Sequence, residues 1–302
     1  MVPDAVVRMQ LAANGEAGRR WLADLPRLVD ELREVWSIAE LGPAYAGGCV
    51  AFVAPAVCAN GSRAVLKVSL PDDETECEAD ALALWNGRGA VQLLDADRGR
   101  GAMLLERLEP GTPLAELGDR ENAINIACSL LRRLWVPVPE ERPFRLATTL
   151  AQHYAVTFPT MYLEAGQPFA REILERAVDV CRDLAVSGEL LVLANRDFHL
   201  GNILAAKREP WLVIDPKPLA GEPAFDAAHL IRSLLSDQIG RREVEELVCR
   251  IAGRLELDAQ RVAKWVFVRS VENALWTVQT GMGEHRWDVA CAEAAGQAFH
   301  LI

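Results

Sequence analysis

The chain has 302 residues, enough for two lobes that each bury a core of their own. With 51% hydrophobic and 25% charged residues it has the composition of an ordinary globular protein, and no apolar run reaches the roughly eighteen residues of a membrane span. A net charge of -11 and a pI near 5.1 work against nucleic acid or an anionic membrane surface as partner; solubility accounts for the charge by itself, and it permits a cationic small molecule.

The opening "MVPDAVVRMQLAANGEAGRRW" lacks the basic end and apolar stretch of a secretory signal. From Glu16 to Ser37, Trp21, Leu22, Leu25, Leu28, Val29, Leu32, Val35 and Trp36 recur at helical spacing, and Pro26 is expected to open a second helix there. "YAGGCVAFVAPAVCANGSRAVLKVSL" then gives two β-rich runs around Asn60-Gly61, a hairpin-turn signal. "DDETECEADALALWNGRG" predicts a helix with an acidic start, and "AVQLLDAD" and "AMLLERL" predict two more strands. "EPGTPLAEL" is a Pro/Gly-rich break, which places a β-rich N-terminal lobe over residues 1–108 and a helical C-terminal lobe over 109–302. Helices are expected near 120–135, 145–165, 169–187, 224–236, 241–253, 259–279 and 287–300. Three short strands, "ELLVLA", "NILAA" and "WLVI", interrupt them.

The seven cysteines (Cys49, Cys58, Cys77, Cys128, Cys181, Cys249 and Cys291) are scattered, odd in number and without a C-x-x-C pair. Mostly buried thiols in a reducing cytoplasm are the expected state. The five histidines have no metal-ligand spacing.

The chemistry concentrates in "NRDFHLGNIL" and the "WLVIDPKPLAGEPAFD" that follows. Phosphoryl transfer needs magnesium ions on the phosphates, a cation on the phosphates that stay behind, and an oriented nucleophile. Asp197 is the candidate proton acceptor, Asn202 offers a carbonyl oxygen to a metal, and Asp215, ending the next apolar strand, is the candidate for the metal that bridges two phosphates. Asp-x₄-Asn alone arises by chance in roughly every second chain of this length, so the weight lies on the ordered set. Lys67 in "AVLKVSL" completes it as a strand lysine, and Glu74, Glu76 and Glu78 are candidates to hold it. Glu78 is preferred, because the apolar face of its helix would dock it inward. Gly47-Gly48 is a weak phosphate-loop signal, and there is neither a G-x₄-G-K-[ST] nor a dinucleotide fingerprint. In "LLERLEPG" the backbone around Glu106, Arg107 and Leu108 fits a strand-to-hinge segment that meets an adenine edge, although a strand entering a turn explains it equally well.

At these residues the sequence resembles the aminoglycoside phosphotransferases, a small-molecule branch of the protein-kinase-like fold. More narrowly it resembles the streptomycin and hydroxyurea phosphotransferase family. "AVLKVSLPDDETECEADALALWNGRGAVQLL", "GAMLLERLEPG", "HLGNIL" and "WLVIDPKPLAGEPAFD" carry the resemblance, and with "GEAGRRWLADLPRLVDEL" they span nearly the whole chain. It implies an α+β, two-lobed fold with the active site in the cleft, ATP as donor, and a hydroxyl of an aminoglycoside as acceptor. Asp197 becomes the catalytic base, Asn202 and Asp215 magnesium ligands, and Lys67 the phosphate-contacting lysine. His199, Glu222 and Asp226 become candidate substrate contacts, with an N-terminal charge or cap on the helix at 224 as the competing role of the two acids. The family's loop reads His-Gly-Asp-Leu-His; here Asn195 and Arg196 replace the first two. An active streptomycin kinase is expected, ahead of a kinase of hydroxyurea or a metabolite and of a weakened nucleotide-binding protein.

Overall fold

A computed structural model describes residues 2–48, 50–71, 77–139, 144–186, 191–281 and 283–302. The chain forms two compact units, residues 1–112 with 204–217, and residues 113–203 with 218–302.

The first unit opens with α1 (Asp4–Val35), whose one non-helical residue is Gly15 (φ 50°, ψ −118°). A positive φ costs glycine little, so the helix breaks there. Pro26, expected to open a second helix, lies inside the continuous second stretch instead. β1 (Ile38–Leu41), β2 (Ala51–Cys58), β3 (Arg63–Ser69), β4 (Leu93–Asp97) and β5 (Ala102–Glu106) form an antiparallel sheet in the order β1-β2-β3-β5-β4, and α2 (Glu78–Trp85) lies between β3 and β4 in the chain. The β2–β3 turn falls where the sequence placed it: Gly61 has φ +81°, and Asn60 Oδ1 accepts from the Ser62 N–H at 2.9 Å. Trp21, Leu25 and Leu32 of α1 share a core with Phe52, Ala54, Leu66 and Val68 of the sheet. Each such apolar side chain taken out of water contributes about 1.5–3 kcal/mol. Gln10 of α1 also donates its side-chain N–H to the Val50 carbonyl at 2.7 Å, on the loop that precedes β2.

The second unit is mainly helical. After α3 (Arg120–Leu134), α4 (Ala147–Glu164) and α5 (Arg171–Val186), the chain enters β6 (Val192–Asn195). A hairpin of β7 (Ile203–Ala205) and β8 (Trp211–Val213) follows, and its residues from 204 onward cluster with the first unit. β9 (Pro218–Gly221) then returns to pair antiparallel with β6, Asn195 opposite Pro218. α6 (Pro223–Leu234), α7 (Arg241–Leu255), α8 (Ala259–Thr280) and α9 (Arg286–Ala298) complete it, close to the predicted spans. β1 and β9 were not foreseen: each is four residues long, and neither alternates cleanly. Among the described residues no helix is long and apolar enough to cross a membrane. Cys58, Cys128, Cys181 and Cys291 are buried free thiols, whereas Cys249 is exposed.

Candidate active site

Lys67 sits in the middle of β3, opposite Val53 of β2 and Met103 of β5. Its side chain is 6% exposed, which is costly for an ammonium unless it is paired. Glu78 in the first turn of α2 supplies the pair, with its two carboxylate oxygens 2.6 and 2.7 Å from Nζ. Glu78 is itself 1% exposed. Burial drives its carboxyl above the ordinary value despite Lys67. Two residues past β8, Asp215 brings Oδ1 to 2.5 Å from the same Nζ, and Lys217 Nζ lies 2.7 Å from that oxygen. Burial acts to raise the Asp215 carboxyl, but the two ammonium groups outweigh it and hold the group below its usual range. Asp215 has φ +50°, an unusual conformation for a side-chain-bearing residue, which aims the carboxylate at the lysines.

A second cluster lies on the loop after β6. Asn195 is fully buried, and its side-chain oxygen accepts from the Asp197 N–H at 3.0 Å, a local turn that sets the loop's direction. Its own N–H donates to Asp226 Oδ1 at 2.7 Å. Asn202, ending a short 3₁₀ turn, donates its amide N–H to the Asp197 carbonyl at 3.1 Å and to Asp197 Oδ2 at 3.2 Å. His199 caps that turn by accepting from the Gly201 N–H at 3.1 Å.

The chain as a whole has known relatives. The family described as aminoglycoside/hydroxyurea antibiotic resistance kinase matches residues 36–281. The chain belongs to that kinase family. The streptomycin 6-kinase of Streptomyces glaucescens is 38% identical over 285 residues, covering 93% of this chain and 92% of its own. The hydroxyurea phosphotransferase of Kitasatospora aureofaciens is 36% identical over 285 residues, covering 93% and 81%. The fold is protein-kinase-like: a solved thermostable mutant of the aminoglycoside phosphotransferase APH(4)-Ia, in ternary complex with AMP-PNP and hygromycin B, gives a TM-score of 0.62 at 14% identity over 90% of this chain and 97% of that one.

Several residues singled out in the sequence as resembling this kinase family have other occupations. Asp226 is fully buried, and beyond the Asn195 N–H its carboxylate accepts from Trp135 Nε1 at 2.9 Å. It braces the loop from within α6 and has no exposed surface, unlike the substrate contact expected of it. Burial pushes its carboxyl up to about 8, although both N–H bonds favour the anion. Glu222 makes no side-chain cap on α6. It pairs with Arg261 (2.8–2.9 Å) and accepts from Trp265 Nε1 at 2.7 Å, so its carboxylate is engaged within the second unit. Gly47 and Gly48 lie on the loop between β1 and β2. Glu106 ends β5 with its N–H on the Gln92 carbonyl and its carboxylate on Arg208, and Leu108 follows the strand. Glu74 and Glu76 lie outside the described residues.

Three features escaped the sequence reading. Arg196, the departure from the kinase family's glycine, carries its guanidinium 3.1 Å from Glu272 on α8. Arg269 pairs with the other oxygen of Glu272 at 2.8 Å and donates to the Tyr154 hydroxyl at 3.2 Å. Burial acts to raise the Glu272 carboxyl, yet Arg269 and Arg196 hold it below its ordinary value. In the first unit, Arg208 in the β7–β8 turn donates to the Gly87 and Ala90 carbonyls at 2.6 and 3.1 Å while it grips Glu106. This clamp, with the Val91 N–H on the Val213 carbonyl at 2.8 Å, fixes the strand that leads to Asp215. The third, His229, is taken up below. Arg196 and Arg208 act on partners 76 and 102 positions away, which no local pattern reveals.

Each unit carries an oxygen of the kind that magnesium takes when it arrives with phosphates. Asn202 spends its amide N–H on Asp197 and keeps its carbonyl oxygen as the remaining group, and Asp215 is a carboxylate held anionic and 40% exposed. Magnesium takes one or two such oxygens and completes its shell with phosphate and water. Among the described residues no three His, Cys, Asp or Glu side chains gather into a cage of their own.

Proposed function

We propose that this kinase transfers the γ-phosphoryl group of ATP, with magnesium, to a hydroxyl of an aminoglycoside, streptomycin first among them, and so inactivates it in the cytoplasm. The observation that carries the reading is the Asp197 carboxylate, held by Asn202 on a loop that Asn195 and Asp226 fix from behind. The streptomycin 6-kinase likeness supports the acceptor, and the net charge of -11 suits a polycation.

In this reading the acceptor oxygen forms a bond to the γ-phosphorus as the bond to the β-phosphate oxygen breaks, releasing ADP, and the hydroxyl proton passes to Asp197. Lys67, oriented by Glu78, contacts the phosphates that stay behind. The loop with Gly47 and Gly48 covers the phosphates, and backbone near Glu106 and Leu108 meets the adenine. Asn202 and Asp215 would hold magnesium, whose charge offsets that of the phosphates. Arg196 does not argue against activity, because Glu272 takes up its charge. Asn195 supplies the brace that a histidine gives elsewhere in the family.

The test is magnesium-dependent ADP release with streptomycin, other aminoglycosides, hydroxyurea and no acceptor, beside an Asp197→Ala control. Streptomycin-dependent turnover that vanishes in the control is expected. Turnover with hydroxyurea alone would replace the substrate, consistent with the second relative. ATP binding with no turnover on any acceptor would overturn the aminoglycoside reading.

A further inference from the structure

Asp197 has a neighbour that no motif marks. The turn of α6 that carries Asp226 also carries His229, whose Nε2 lies 3.4 Å from Asp197 Oδ1, within ion-pair range and a few tenths of an ångström beyond an ordinary hydrogen bond. The other carboxylate oxygen, Oδ2, is the one that meets the Asn202 amide at 3.2 Å. His199 approaches Oδ1 from the loop itself, its Nε2 3.9 Å away, and the two imidazoles stand 6.1 Å apart, tilted by 46°. His229 Nδ1 is buried and has no hydrogen-bond partner among the described residues.

These contacts fix the tautomer. A ring nitrogen that faces a carboxylate carries the proton, and a buried nitrogen without an acceptor keeps its lone pair. A second proton would leave an N–H with nothing to bond. The charged and titratable groups around the ring are Asp197 and His199 of the loop, Arg269 of α8 and Arg232 of its own helix. Burial first, then the two guanidiniums, outweigh Asp197 and push the imidazole down to about 4.

We propose that His229 is a positioning residue whose neutral Nε2–H donates to Asp197 Oδ1 and, together with the Asn202 amide on Oδ2, locks the carboxylate in one rotamer. The inference rests on the reading of Asp197 as proton acceptor. It ties catalytic geometry to α6 by two contacts from one helical turn: Asp226 holds the loop's backbone, and His229 holds the side chain that the loop presents. Without His229 one of the contacts that orient the carboxylate is gone, and fewer bound complexes have it turned toward the hydroxyl. The chemical step slows, while nucleotide binding stays as it was.

Two measurements on the full chain decide it. With imidazole nitrogens labelled with ¹⁵N and no acceptor present, His229 is expected as the neutral Nε2–H form between about pH 5 and 8, with its resonances shifted by Asp197→Ala. An Nδ1–H tautomer, or no response to Asp197→Ala, overturns the proposal. In kinetics, His229→Leu is expected to lower kcat about 10–100-fold with nucleotide KM unchanged, the size of one charge-assisted hydrogen bond. His229→Gln, whose amide N–H reaches a similar point, restores most of the rate. Equal activity in wild type and His229→Leu, or a nucleotide KM that rises in step with the loss of kcat, overturns it as well. If the wild type turns over no acceptor, the substrate reading fails, and the nitrogen spectra still decide the hydrogen bond.

Discussion

Asp215 and Asp197 are both carboxylates at the ends of short strands, but they are held by different means. In the first unit two ammonium groups converge on Asp215, and one of them is shared with a buried glutamate. In the second unit the Asn202 amide meets one carboxylate oxygen of Asp197 and the His229 imidazole approaches the other. Cations stabilise the anionic form of a carboxylate, and directional contacts from a loop and a neighbouring helix orient one. In the proposed reaction the first carboxylate handles charge and the second takes the proton.

The largest expected effect removes the acceptor in the second unit. Asp197→Ala should cut kcat about 10²–10⁴-fold, while its thermal midpoint stays within a few degrees of wild type, because its side chain is 33% exposed. Steady-state kinetics beside a melting curve checks both. The first unit should respond the other way. Lys67→Met leaves Glu78 buried without its cation, and about 3–5 kcal/mol of stability is expected to go with the activity. Urea unfolding measures the loss, and adding Glu78→Met should recover most of the stability and none of the turnover.

A smaller effect is expected at Arg196→Gly, which restores the family's usual residue and leaves Glu272 to Arg269 alone. A cost of about 1–2 kcal/mol is expected, with the rate within about threefold of wild type. A collapse of the rate would instead give Arg196 a part in catalysis.

The smallest effect separates two groups on α6 by their response to pH. His229 is depressed to about 4 from an ordinary 6.5, so between these values the unfolded chain binds a proton that the folded chain refuses. Its contribution is present above pH 6.5 and is lost as pH falls through 4. Asp226 is raised to about 8 from 3.8, so its contribution is full below pH 4 and is lost as pH rises through 8. Melting curves across this range should show a milder acid loss in His229→Gln and a milder alkaline loss in Asp226→Asn.

Much of this was legible in the sequence, and the reasons are local. Lys67 and Glu78 are placed by strand alternation and by the apolar face of one short helix. The Asp197–Asn202 spacing defines a loop that closes on itself through the Asn202 amide. What the sequence hid depends on contacts between distant segments. Glu222 and Asp226 look like acids free for a cationic substrate, and only the fold shows Arg261, Trp265, Trp135 and the Asn195 N–H already on them. Arg196 stands in the sequence only as a departure from the family's glycine, and its partner Glu272 lies 76 positions away. In α1, Gly15 and Pro26 are both helix breakers by propensity, and packing of Trp21, Leu25 and Leu32 on the sheet carries the helix through the proline.

That same helix has a practical side. The kinase family match begins at residue 36, just after α1 ends. A chain trimmed to the matched span would keep every residue discussed at the site and still lose the cover over Phe52, Leu66 and Val68, together with the Gln10 tether on Val50 beside the glycine loop. Such a fragment would present a bare apolar sheet to solvent and should come out of expression as aggregate. For this protein, the border drawn by family likeness is not the border of the folding unit.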